Sequence, residues 1–158
     1  MKLYGSGQVS GNAGTEWLFI EESMISTIVR LCEGCNMSSP DRSTELKKII
    51  TGFVDDLRKY SNDWENNNPQ VVLNKLKVLA QTWEHLLFVS GGKVELDKCA
   101  LYTIQWMFSE DGIAKLKNKS NEKLSIKSSQ TGKEYEIQLL NNDEYFQYLG
   151  ITSSPNDD

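Results

Sequence analysis

The sequence predicts an α+β fold, two amphipathic helices packed on an antiparallel sheet. Apolar residues recur at three- and four-residue steps over about 15–32 and 69–89, the period of a half-buried helix. Short β-branched and aromatic runs, separated by Gly, Asp and Asn, fill about 47–60 and 93–151, the pattern of strands joined by tight turns. The 158 residues suit one domain, expected over 1–151, with a frayed polar tail at 152–158.

Composition narrows the class. The chain is 39% hydrophobic and 25% charged, close to an ordinary globular protein, which argues against extended disorder. No apolar run reaches the ~20 residues that span a bilayer, and Met1 to Gly7 lacks the apolar core of a signal peptide. Three cysteines make no disulfide framework. An intracellular location, cytoplasm or nucleus, is expected. Net charge is −5, unevenly distributed. Between Lys115 and Lys133 lie six lysines (115, 117, 119, 123, 127 and 133) and one acid, Glu122, so this segment is +5 and the remainder −10. Such a run is a solvated face or a track for phosphates.

Gly5, Gly7, Gly11 and Gly14 make the N-terminal stretch glycine-rich. It is no P-loop, because no Gly-Lys-Ser/Thr follows, and no dinucleotide fingerprint, because the spacing fails and no strand precedes it. It reads as a flexible entry into a helix, or as a place where backbone approaches a ligand closely. The first helix carries Trp17, Ile20, Met24, Ile28, Leu31 and Cys32 on one face, and Gly34 stops it. Cys32 and Cys35 sit at its C-terminal end, whereas thioredoxin-like thiols sit at a helix N-terminus. With Cys99 and the single His85 as remaining partners, a zinc site is poorly provided for. Residues 36–46 read as a polar connection.

The stretch from Lys47 to Tyr60 is an apolar run, two adjacent carboxylates and a shorter run, the pattern of a hairpin with Asp55 and Asp56 at its tip. Paired carboxylates on a rigid tip bind a hard divalent cation; the plainer reading is a polar turn. Asn68 then suits an N-cap and Pro69 the first helical position. The second helix has a stripe of Val72, Leu76, Leu79, Trp83 and Leu86, closed by Gly91-Gly92. His85 lies off that stripe, as a boundary histidine. Strands follow around 94–108, 123–127, 134–140 and 144–151, with turns at Glu110-Asp111-Gly112 and Gln130-Thr131-Gly132. No Gly-x-Ser-x-Gly elbow and no nucleophile triad occurs.

The order of these pieces resembles the palm of reverse transcriptases, the RNA-directed DNA polymerases of retrotransposons. Phe53-Val54-Asp55-Asp56 resembles the family's aromatic-x-Asp-Asp catalytic hairpin. Gly5 to Trp17 is similar to the glutamine loop and helix that meet template and incoming nucleotide. Gly91 to Lys98 is similar to the segment bearing a lysine near the leaving pyrophosphate, and Tyr148-Leu149-Gly150 resembles the primer-grip turn. Together they cover about 5–151. The resemblance implies a palm-like sheet and template-directed nucleotidyl transfer with two Mg2+ ions. Asp55 would be a direct metal ligand, Asp56 a supporting carboxylate on the opposite strand face, and Lys98 a donor of positive charge or a proton to pyrophosphate. Gly7, Gln8 and Phe53 would contact nucleotide and template. The implied partners are an RNA or DNA template with primer, and deoxynucleoside triphosphates.

Two departures stand out. Val9 follows the glutamine where the family has glycine, adding a β-branched side chain where template should pass. The family's other metal-binding Asp lies on a strand before the glutamine loop, where this sequence starts. The expectation is therefore a C-terminal palm fragment that does not polymerise alone. The reading from another class is a non-catalytic interaction or nucleic-acid-binding module whose double Asp is a turn.

Overall fold

A computed structural model describes residues 13–53, 56–63, 68–117, 123–148 and 151–154. They form two helices and several small sheets, a mixed α+β class. The chain divides into two compact units: Met1–Val94 with Ile126–Glu134, and Glu95–Ser125 with Tyr135–Asp158.

In the first unit, α1 (Ala13–Leu31) leads to β1 (Cys35–Ser38) and β2 (Glu45–Lys48), which pair antiparallel. This hairpin replaces the polar connection expected at 36–46. Cys35 and Met37 alternate with polar residues in β1, but β2 has Leu46 as its one apolar residue, so the period is too short to mark a hairpin; the turn chemistry supports it. Asp41 accepts from the Ser39 hydroxyl and from Ser43 N–H and Oγ, while Arg42 takes the left-handed conformation at φ 57°. β3 (Ile50–Phe53) and β4 (Asp56–Lys59) form the antiparallel hairpin expected at 47–60, although Lys47 and Lys48 belong to β2.

α2 (Pro69–Val89) has the bounds its signals predict. The Asn68 side chain accepts from Gln70 N–H at 3.0 Å, Pro69 opens the helix, and Gly91 (φ 94°) follows the Ser90 cap. The core joins Met24 and Ile28 of α1, and Cys32 just after it, to Leu79 and Trp83 of α2, with Ile49 between β2 and β3. Of the expected α1 stripe, Ile20 and Leu31 are instead exposed, Leu31 at 66%. Leu73 is buried on α2, although it lay outside the expected stripe. Gly34 has a role other than a left-handed helix stop: a Cβ there would lie 2.6 Å from the Lys48 carbonyl oxygen and closer still to Ile49 Cγ1. Its missing side chain admits the link between β2 and β3.

In the second unit, a 3-10 turn (Leu96–Lys98) precedes β5 (Ala100–Tyr102), and β6 (Trp106–Phe108) pairs antiparallel with β7 (Ala114–Leu116). Gly112 makes the turn between them at φ 76°, as Glu110-Asp111-Gly112 suggested. β8 (Ser125–Lys127) pairs with β9 (Glu134–Glu136), and the segment joining them belongs to the first unit. β10 (Gln138–Leu140) pairs with β5 in parallel, and β11 (Phe146–Tyr148) pairs antiparallel with β12 (Ile151–Ser153). β12 runs two residues into the stretch read as tail. The single antiparallel sheet of the sequence reading is not formed among the described residues. They make two-stranded sheets, one of them parallel, because runs of three or four residues supply too few ladder bonds to align many strands. No helix of the described residues is long and apolar enough to cross a membrane.

Candidate functional site

The β3–β4 hairpin pairs Ile50 with Lys59, Thr51 with Arg58, Gly52 with Leu57 and Phe53 with Asp56. Asp56 is thus the first residue of β4, at the end of the ladder, while Val54 and Asp55 lie outside the described residues. The two faces differ. On one, Lys59 places its ammonium 5.2 Å from the centroid of the buried Trp83 ring, against α2. On the other, Tyr60 OH lies 2.9 Å from Thr51 Oγ1, and Lys48 Nζ lies 4.5 Å from the Tyr60 ring centroid. The Asn62 side chain exchanges hydrogen bonds with the Asn36 backbone, at 3.0 Å from its N–H and 2.7 Å to its carbonyl, tying the segment after β4 to β1.

Carboxylate oxygen is the right donor for Mg2+; Asp55 lies outside the described residues, and for Asp56 the described feature is its backbone pairing. Among the described residues no group of three or more His, Cys, Asp or Glu comes together to hold an ion. The remaining candidates lie on other elements. Lys98 is exposed at the end of the 3-10 turn in the second unit. Tyr148 ends β11, paired with Ile151 of β12. Gly7, Gln8, Val9, Leu149 and Gly150 lie outside the described residues.

Glu84 was not singled out in the sequence. It is 4% exposed, on α2 beside the stripe, and accepts from Ser129 N–H at 2.7 Å and Ser129 Oγ at 2.6 Å. One turn earlier, Gln81 bonds both the N–H and the carbonyl of Lys127, at 2.9 and 2.8 Å. The Ser129 hydroxyl also stands 3.5 Å from Nδ1 of the exposed His85. Ser, His and Glu together invite comparison with a hydrolytic triad, but the wiring is different. In a triad the imidazole bridges serine and acid, whereas here serine donates directly to the acid. The cluster clamps the turn after β8 onto α2. A polar residue one position past an apolar stripe is the signal that could have revealed it.

The two thiols of the Cys-x-x-Cys pair sit in unlike surroundings. Cys32 is buried in the core, and burial pushes the Cys35 thiol up, outweighing the lowering by Lys48, the opposite of an activated nucleophile. Asp41 is the most perturbed carboxylate described, held at about 2 by hydrogen bonds from Ser39 and Ser43. It stabilises an exposed turn.

Among known proteins, no family model, no curated protein and no solved structure matches this chain.

Proposed function

We propose that the chain is part of the palm of an RNA-directed DNA polymerase, a reverse transcriptase. The observation that carries this reading is the ordered motif set, centred on a hairpin whose second strand begins at Asp56. In this reading Asp55 and Asp56 would hold Mg2+, which when bound would supply positive charge to the phosphates. The hairpin itself is anchored by Lys59 on Trp83 and by Tyr60 on Thr51. Phe53, opposite Asp56, borders the nucleotide. Lys98 supplies positive charge to pyrophosphate, and Tyr148 to Gly150 support the primer end.

Primer extension by the reading frame with its preceding residues restored tests this, comparing Asp55→Ala with the unchanged protein. The expected loss is at least about a hundredfold, the scale of removing a transition-state electrostatic group. Equal activity overturns the assignment. The net charge of −5, and the lack of a third ligand beside Asp56 among the described residues, favour a second reading as a non-catalytic interaction module.

A further inference from the structure

We propose that the open edge of β6 joins two copies of this chain, the strand pairing antiparallel with its own counterpart about a two-fold axis at Met107. The hairpin ladder shows which backbone groups face outward for this. Lys117 N–H donates to the Gln105 carbonyl at 2.8 Å, and Ser109 N–H donates to the Ile113 carbonyl at 3.0 Å. Hydrogen-bonded pairs alternate with unbonded ones along an antiparallel ladder, so Gln105, Met107 and Ser109 bond toward β7. Trp106 and Phe108 therefore turn their N–H and C=O groups to the other side. Among the described residues, β7 is the sole strand neighbour of β6. With the axis at Met107, Trp106 of each copy stands opposite Phe108 of the other, and both ladder bonds of each pair can form.

Strand edges that stay unpaired are commonly guarded by charge or proline. β7 has such a guard in Lys115 and Lys117, whereas Ile104 to Ser109 holds neither a charge nor a proline. Trp106, Met107 and Phe108 are all exposed, and a lone two-stranded hairpin is marginal in water. The two-fold pairing sets Trp106 against Phe108 twice, a cross-strand aromatic contact. It falls on the face that also carries Ala114 and Leu116.

Charge selects a second copy as the occupant. The hairpin tip carries Glu110 and Asp111. The other end carries Lys117, whose ammonium leans across to Gln105 Oε1 at 3.2 Å. In the two-fold register Gln105 of one copy lies opposite Ser109 of the other, so each Lys117 comes beside the other copy's Glu110. One hairpin thus holds both halves of the match. A tip-to-tip, parallel pairing would instead crowd four carboxylates together. The uncharged centre of β6 also lets two molecules of net charge −5 meet with no like charges between the strands. A two-fold pair uses both β6 edges and so closes at the dimer.

This dimer does not depend on the polymerase reading. Sedimentation velocity of the intact chain over a concentration series tests it. The contact is small, so a monomer–dimer equilibrium with Kd between about 1 μM and 1 mM is expected. Met107→Lys sets two ammonium groups opposite each other at the axis and should raise Kd at least about tenfold. Glu110→Lys and Lys117→Glu should each weaken the dimer, and the two together should restore it, because the exchange keeps opposite charges in contact. Lys77→Gln, at an exposed position of α2, should change nothing. Circular dichroism confirms the fold of each variant. A chain that stays monomeric throughout overturns the inference and leaves the edge to a strand of a different protein. A folded Met107→Lys variant that dimerises as before also overturns it, as does association that runs on past the dimer.

Discussion

At the scale of single residues, hydrogen-bond supply decides which acids matter for stability. Glu84 is buried and takes both donors of Ser129. Glu84→Ala would leave those donors without their acceptor in a partly buried place, which costs about 2 kcal/mol. Glu84→Gln, which keeps one carbonyl oxygen, should cost less. Urea denaturation of both variants measures the difference. Asp41 is fully exposed, and its low value comes from local donors. Its folded pKa is depressed below 3.8, so its stabilising bonds are complete above that value and are lost as pH falls through about 2. NMR titration of the carboxylate should show that midpoint, and Ser39→Ala should raise it. Gly34→Ala forces a Cβ into the Lys48 carbonyl and the Ile49 side chain, with an expected loss of about 1–3 kcal/mol. A far smaller loss would mean that the link between β2 and β3 shifts freely.

At the scale of elements, legibility follows from how much of the cause is local. α2 was legible because Asn68, Pro69 and Gly91 each carry a backbone reason in their own side chain or lack of one. Asn68→Ala should lower stability by about 1 kcal/mol in the same denaturation assay. The β3–β4 hairpin was legible as a β-branched run broken by two acids. The β1–β2 hairpin was not, since its strands are Cys-Asn-Met-Ser and Glu-Leu-Lys-Lys and bury no alternate face. Its existence depends on Gly34 approaching Ile49, a meeting of distant positions that no local period encodes. The parallel pairing of β5 with β10 was equally hidden, because register between distant strands depends on partners the pattern does not name. At the candidate site, the carboxylate pair was visible directly. The Lys48–Tyr60–Thr51 arrangement became visible only once β2 was separated from β3 and the two faces of the hairpin were assigned.

At the scale of the whole molecule, both units bury some apolar residues and leave others exposed, Phe19 in the first among them. The first has a joined core from α1, α2 and Ile49. In the second, β6 exposes all three of its residues, with Trp106 at 55% and Phe108 at 73%. Exposed apolar groups of this size promote association. The polymerase proposal predicts that the carboxylate hairpin responds to a hard cation. Titration of Mg2+ into the chain, followed by amide shifts in 15N NMR spectra, tests it most directly. The predicted result is saturable shifts confined to the β3–β4 hairpin and abolished by Asp55→Asn. Shifts that are absent, spread over other acidic surface, or unchanged in Asp55→Asn would contradict it.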